Sequence, residues 1–417
     1  FFRLSAVENA REHIERLSSA DKLFELALLN QGIRRAVIIT DRQAADIPSA
    51  PVGPAGCQLS ELKPLSREAA LAEAEALFRM IDEMMLTGPS GKSSWMAFSE
   101  YNMSIAPARP TFARGTAGLG AFFAAMYAAG CGSSGRAADL SDICLAQLKS
   151  SLDQLEKARQ IPENALALGI SNGIAGAFRA LGIMESCLKN GSAGALSLRL
   201  LQLLDKVDIE QSRQLDVYSG AAGLLIELCR IYRKTGSKAA VPHIRRCAER
   251  LLRGRMLTYR GRLLWDTCHK KRPISGSGHG MAGMADALSW ASAILGDSRC
   301  REAACAALDF EHGIYSKKLG NWPDLRNSPV SVRAMQGLCS GAPGVGLALL
   351  RCRENGLGSP ELDEDIERAK FSCMTKIPVY RDHLCCGNSS TVDFLLSVSG
   401  CQEQAGRLLA FMKSRKD

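Results

Sequence analysis

A Gly-x-x-Gly element recurs along this chain at Gly115/Gly118, Gly173/Gly176, Gly220/Gly223, Gly280/Gly283 and Gly341/Gly344, with a sixth copy at Gly387 in which Ser390 replaces the second glycine. The first glycines are 58, 47, 60, 61 and 46 residues apart. Such a spacing marks a repeated supersecondary unit, one that buries its apolar face only against its neighbours. Each full copy runs into an apolar stretch that reaches a new glycine, at Gly130, Gly191, Gly236, Gly296 and Gly356. After Gly223, the residues Leu224, Leu225, Leu228, Ile231 and Tyr232 share one face of a helix. The terminal glycine supplies a left-handed residue to end it. The paired glycines at its start permit a tight turn and a close backbone approach.

One helix of about a dozen residues fills only part of each unit, so the remainder, such as residues 139–158 or 238–253, has room for a second. The repeat therefore predicts an all-α chain built as an α/α toroid, a double ring of about six inner and six outer helices. Inner helices begin at the glycine turns and outer helices wrap them. Strand signals are nearly absent, because period-two alternation of β-branched residues scarcely appears. An open helical solenoid is the alternative. In a closed ring the glycine turns gather at one end, which makes that end the natural place for a site.

The N-terminal part reads differently. Residues 1–60 suggest a helical linking segment, with helices over 6–16 and 20–39, followed by an irregular connector with Pro48, Pro51, Pro54 and Pro64. Residues 61–417 read as the ring domain. Ser66 is placed to cap a helix through residue 86, stopped by Thr87-Gly88-Pro89. The chain begins Phe-Phe-Arg rather than Met and reads as a piece of something longer.

Composition narrows the class. At 46% apolar and 23% charged residues the chain has ample material for a core. Its longest nearly uninterrupted apolar stretch, residues 117–130, is 14 residues, short of the roughly 20 of a membrane-spanning helix. Fifteen cysteines, an odd number without a signal-peptide pattern, fit reduced thiols and a cytoplasmic setting better than a disulfide scaffold. The 52 Lys and Arg against 43 Asp and Glu leave a charge of +9. That mildly favours an acidic partner, but the basic residues are dispersed and do not suggest nucleic acid.

The chemistry-bearing residues sit on the glycine turns. The third turn reads Asp216-Val217-Tyr218-Ser219-Gly220, the fourth Gly278-His279-Gly280, the fifth Cys339-Ser340-Gly341 and the sixth His383-Leu384-Cys385-Cys386-Gly387. If the turns meet, Cys339, Cys385 and Cys386 supply three ligands and leave a fourth position open, the pattern of a catalytic zinc site. His383 is a rival third ligand. Cys268-His269 lies off the repeat register beside Lys270, Lys271 and Arg272, which favours a non-metal reading. Cys144, Cys187, Cys229, Cys247, Cys305 and Cys352 fall on apolar helical runs and read as small buried hydrophobes. His13, His243 and His312 read as surface or helix-end residues, and Arg333 as either site-facing or solvated.

In this order, Asp-x-x-x-Gly-x-x-Gly, Gly-His-Gly-x-x-Gly, Cys-x-Gly-x-x-Gly and Cys-Cys-Gly resemble the cyclase domain of lanthipeptide synthetases, the LanC-like family. The resemblance is nearest to the C-terminal domain of the class II, two-function synthetases and covers about residues 65–417. It implies an α/α toroid holding one zinc ion. The implied reaction is Michael addition of a peptide cysteine thiol to dehydroalanine or dehydrobutyrine, giving lanthionine or methyllanthionine rings. The implied partners are a precursor peptide, leader plus dehydrated core, and a preceding dehydratase domain. By the same resemblance Cys339 and Cys385 match the family's zinc cysteines, and Cys386 stands where most members have histidine. His279 matches the acid/base histidine and Asp216 its acidic partner. Leu338 and Met335 depart from the residues common at their positions. Two other readings compete: a non-catalytic zinc-containing scaffold that binds peptides or thiols, and a toroidal glycosidase, which needs paired carboxylates and leaves the cysteines unexplained.

Overall fold

The computed structural model describes residues 59–415, apart from 89, 100–103, 132–133, 159–166, 327–333, 377 and 380, together with the helical residues Arg11 and Glu15. The expected linking segment and its two helices, like His13 and Arg333, otherwise lie outside the described residues. Among these residues the chain forms thirteen α-helices and three two-stranded hairpins. Helix α1 spans Arg67–Glu83. Six pairs follow, each an inner helix and then an outer one: α2 (Thr116–Ala128) with α3 (Ser134–Lys157), α4 (Ile174–Leu188) with α5 (Ser192–Leu203), and α6 (Ala221–Thr235) with α7 (Ala240–Arg253). The second half continues with α8 (Met281–Leu295) and α9 (Ser298–Ile314), α10 (Ala342–Glu354) and α11 (Pro360–Thr375), and α12 (Asn388–Ser397) and α13 (Gln402–Ser414).

Each inner helix packs against its own outer helix and against the next inner one, from α2 to α12. This is the α/α toroid that the repeat predicts. Inner and outer helices differ in the way this geometry requires. Inner α8 is buried at every position from Met281 to Ala291, because the outer ring covers one side and the other inner helices enclose the rest. Outer α7 buries one stripe only, Ile244, Cys247, Ala248, Leu251 and Leu252, the spacing of an amphipathic surface helix.

Helix α1 joins the two ends of the series. It packs on α2, with Phe78 edge-on to Phe123 at 5.8 Å. On its other side Leu65 N donates to Gly406 O of α13 (3.0 Å), and Lys413 of α13 pairs with Glu73 (2.8 Å). Ser66 caps α1 as expected, accepting from Ala69 N (3.2 Å). The helix ends at Glu83 rather than residue 86, because Leu86–Thr87 pair with Ser93–Ser94 as a short hairpin, β1–β2. Two more hairpins, β3–β4 (Met96–Ser99 with Ser104–Pro107) and β5–β6 (Leu257–Tyr259 with Arg262–Leu264), were also invisible to the pattern. They are too short to show an alternation.

The glycine turns repay their conservation of spacing along the chain. A Cβ on Gly223 would lie 2.2 Å from Val217 O, and one on Gly344 only 2.0 Å from Leu338 O. The chain folds back over the first turn of the helix, and only hydrogen fits between. In exchange the first helical N–H finds an acceptor seven residues back: Thr116 on Arg109, Ala221 on Gln214, Met281 on Ile274 and Asn388 on Arg381, at 2.9–3.1 Å. The inner face also carries ion pairs, Arg179 with Glu227 and Arg351 with Asp286 (2.7 Å).

Candidate metal centre and catalytic site

Consecutive turns are stitched to one another by their backbones. Ser171 N donates to Tyr218 O and Tyr218 N to Gly278 O, both at 3.0 Å, and Cys339 N donates to Cys385 O at 3.1 Å. The fourth and fifth turns meet by close approach, a Cβ on Gly278 lying 3.0 Å from Cys339 Cα. The gathering of turns that the ring topology predicts thus places Asp216, His279, Cys339, Cys385 and Cys386 in one continuous rim.

Cys339 Sγ lies 2.7 Å from Cys385 Sγ, and Cys385 Sγ lies 3.1 Å from Cys386 Sγ. All three sulfurs fall within 4.8 Å of one another, and no further His, Cys, Asp or Glu joins them among the described residues. So close a set cannot ionise freely. Hydrogen bonds with Cys385 and Cys386, and then burial, push the Cys339 thiol far above its ordinary range. The same contacts from Cys339 and Cys385 hold Cys386 far below it. A soft divalent cation would replace the shared protons and relieve the crowding. Three thiolates from two adjoining turns fit a zinc ion that takes its fourth ligand from outside the set.

His279 Nδ1 donates to Asp216 Oδ2 at 2.6 Å. Asp216 is itself buried and fixed, its Oδ1 accepting from Ser219 N at 2.7 Å. The Tyr218 ring lies 5.0 Å from the imidazole. With Nδ1 committed to the carboxylate, Nε2 is the nitrogen left for another partner.

Three buried side chains that sequence reasoning missed hold these turns in shape. Glu311 on α9 accepts from Ser275 Oγ (2.6 Å), Gly276 N (3.0 Å) and Ala282 N (2.8 Å), gripping the His279 turn at both ends. Burial pushes its carboxyl up to about 7 despite those three bonds. Asn321 donates to Met335 O (3.1 Å) and accepts from Ala342 N (2.8 Å), bracing the Cys339 turn. Asn388 accepts from Val379 N (2.9 Å) and donates to Val379 O (2.7 Å) and Asp382 Oδ1 (2.8 Å), bracing the loop that leads to Cys385. Nothing in a single sequence marks Glu311 or Asn321, since each lies in another segment from the turn it braces.

His383 is exposed and stands outside the sulfur cluster. Cys268 is half-buried and also outside it; burial and then the nearby Asp216 charge push its thiol up. The buried, free thiols of Cys144, Cys229, Cys247 and Cys352 are as expected, whereas Cys187 and Cys305 are only partly covered. His243 is a correction. It is buried within α7 against Asp205 (3.5 Å) rather than at a surface, because it lies on the covered stripe of that helix beside Ile244 and Cys247.

No curated protein sequence matches the chain. Among solved structures, nisin cyclase superposes with a TM-score of 0.52 at 17% identity, covering 84% of this chain and 86% of that one. An unsaturated glucuronyl hydrolase from Bacillus sp. GL1 (TM-score 0.47, 12% identity, 83% and 95% covered) and a sugar epimerase from a ruminal bacterium (TM-score 0.40, 12% identity, 84% and 99% covered) are more distant. The family model described as lanthionine synthetase C-like protein matches residues 106–404, and with that match over most of its length the chain belongs to the lanthionine synthetase C-like family.

Proposed function

We propose that this protein is a zinc-dependent lanthipeptide cyclase, joining a peptide cysteine thiol to dehydroalanine or dehydrobutyrine in a dehydrated precursor peptide. The observation that carries the reading is the convergence of Cys339, Cys385 and Cys386 beside the His279–Asp216 pair. A zinc ion held by the three cysteines would supply a deprotonated, oriented substrate thiol at neutral pH, where a free thiol is mostly protonated. The residues of the chain do the rest. The thiolate adds to the β-carbon, and the displaced π pair moves to the α-carbon and its carbonyl. His279, turned by Asp216 so that Nε2 faces outward, returns a proton to the α-carbon. Asp216 keeps the imidazole in one orientation through the hydrogen bond to Nδ1.

A non-catalytic zinc scaffold would have no use for the Asp216-held His279. The reading extends to a C-terminal, two-function-synthetase arrangement in which residues 61–417 form the cyclase and a dehydratase supplies the substrate in the cytoplasm. Among the described residues no helix is long and apolar enough to cross a membrane.

The test combines metal analysis with thiol labelling. About one zinc per chain and loss of labelable thiol in a dehydrated, cysteine-containing peptide, both abolished in Cys339→Ala, are expected. Zinc without thiol loss would favour the scaffold, and absence of zinc would sink the site.

A further inference from the structure

Outer helices α9 and α11 and hairpin β5–β6 enclose a cavity of about 320 Å³ that reaches Leu349 of inner helix α10. None of its lining residues belongs to the sulfur cluster or to the His279–Asp216 pair. Part of the lining is apolar, with Ala306, Leu349 and Leu362 all buried. The rest is charged, and most of that charge is already matched. Arg262 pairs with Asp309 at 3.0 Å. Asp365 is buried, accepts from Arg368 Nη1 at 2.7 Å and holds His312 Nδ1 at 3.2 Å.

Arg260 is the exception. Its guanidinium stands 5.3 Å from the centre of the Tyr259 ring and has no hydrogen-bond acceptor or ion-pair partner among the described residues. It also occupies a strained position, the first residue of the two-residue turn of β5–β6, with φ of 48° there and 76° at Gly261. Such a turn needs positive φ at both residues, and Gly, Asn or Asp supply it with least strain. Strain of this kind concentrates where a side chain serves binding. The guanidinium comes down over Gly313, next to His312: a Cβ on Gly313 would lie 3.3 Å from Arg260 Nη1 and 3.0 Å from Tyr259 Oη. With Nδ1 turned to Asp365, His312 has Nε2 left for a partner in the cavity.

We propose that this cavity is a binding site for an acidic peptide, taking a side-chain carboxylate on Arg260 and His312 and a neighbouring apolar side chain against Ala306, Leu349 and Leu362. Charge decides between anions. Once the internal pairs are set aside, Arg260 is the one permanent cation left uncommitted. Glu361, exposed at the cavity edge, is held ionised by its own backbone N–H and then by Ser359. A singly charged carboxylate balances Arg260, whereas a phosphate would bring a second negative charge towards Glu361 with no second cation to meet it. The apolar lining offers burial that a free anion cannot use. The net charge of +9 draws acidic peptides to the chain. The inference goes beyond the cyclase reading and does not depend on it.

The experiment reads Kd by ligand-detected NMR on the full chain, with the capped dipeptide Ac-Glu-Leu-NH2 as probe. Ac-Gln-Leu-NH2, Ac-Glu-Gly-NH2 and inorganic phosphate are the comparisons. Removing the probe's charge should weaken binding about tenfold, the share of hydrogen bonds to a charged group. Removing its leucine side chain should cost about tenfold as well. Arg260→Asn should lose the preference for Glu over Gln yet unfold at an equal or higher temperature, because asparagine relieves the turn. If Arg260 served only to balance the C-terminal carbonyls of α9, the same variant would bind the dipeptide normally and unfold earlier. Gly313→Ala crowds Arg260 Nη1 and Tyr259 Oη and leaves the apolar lining alone. It should weaken the dipeptide, and it decides the case if Arg260→Asn does not fold. Equal binding of the Glu and Gln probes, wild-type affinity in Arg260→Asn, or phosphate bound as tightly as the dipeptide would overturn the proposal.

Discussion

Replacing Gly344 by alanine tests the link between the repeat and the metal centre. The new Cβ would fall 2.0 Å from Leu338 O, 2.7 Å from Leu338 C and 2.9 Å from Leu338 Cα. All three are backbone atoms, so no side chain can swing aside, and the turn must open by about 1 Å to restore an ordinary contact. Overpacking of this kind costs about 1–3 kcal/mol. Alanine in the first turn of a helix returns up to about 1 kcal/mol of that through its better propensity. The net loss of about 1–2 kcal/mol should lower Tm by about 2 °C. The larger effect is local, because Leu338 is bonded to Cys339. A metal site tolerates only about 0.2 Å in its ligand distances, so zinc affinity should fall by roughly 10–100-fold. Gly182→Ala is the control. Gly182 lies inside α4, and a Cβ there meets nothing within 4 Å. It should bind zinc normally and gain about 0.5–1 kcal/mol. Thermal unfolding with chelator-competition zinc titration reads both quantities. A Gly344→Ala protein with wild-type stability and zinc affinity would refute the argument that the paired glycines exist to let the turn fold onto the helix.

Other consequences can be checked separately. Glu311 has its carboxyl raised to about 7 from an ordinary value of 4.5. Its contribution to stability is therefore fully present below about pH 4.5 and is lost as pH rises through 7, on the order of 3 kcal/mol in all. The stability gap between wild type and Glu311→Gln should narrow between pH 5 and pH 8 in denaturant titrations; a gap independent of pH would contradict this. Arg351→Ala should cost about 3–5 kcal/mol, because it strands the buried Asp286 carboxylate. Adding Asp286→Asn should recover much of that loss, and a double variant no more stable than the single one would argue against the pair. Replacing the third thiolate through Cys386→His should slow ring closure, since a neutral ligand leaves the substrate sulfur less electron-rich; equal rates in a single-turnover thiol-loss assay would count against it.

The periodic parts of this protein were legible before any coordinates. Glycines that end inner helices α6 and α8 take the left-handed conformation as expected, with φ of 67° at both Gly236 and Gly296, because that conformation costs least where no Cβ obstructs it; α4 instead ends on a left-handed Lys189, with φ of 54°. The pairing of each glycine-turn helix with a following outer helix also shows in the sequence, since burial on all sides and burial on one stripe leave different hydrophobic patterns. Even the assembly of Asp216, His279, Cys339, Cys385 and Cys386 follows from repeat register, once the ring is assumed to close.

What closes the ring is another matter. Helix α1 reads in sequence as one more amphipathic helix, and only its simultaneous contacts with α2 and α13 make it the piece that joins first and last pairs. The residues that tune the site belong to the same class. Glu311 sits on an outer helix, while Asn321 sits on a loop without period or motif. A local pattern records which face of a helix is covered, because each covered position imposes its own choice of residue. It holds no record of which distant carboxylate or guanidinium is brought beside a turn. The ring's circumference and the packing of its outer helices decide that, and they exist only in the folded chain.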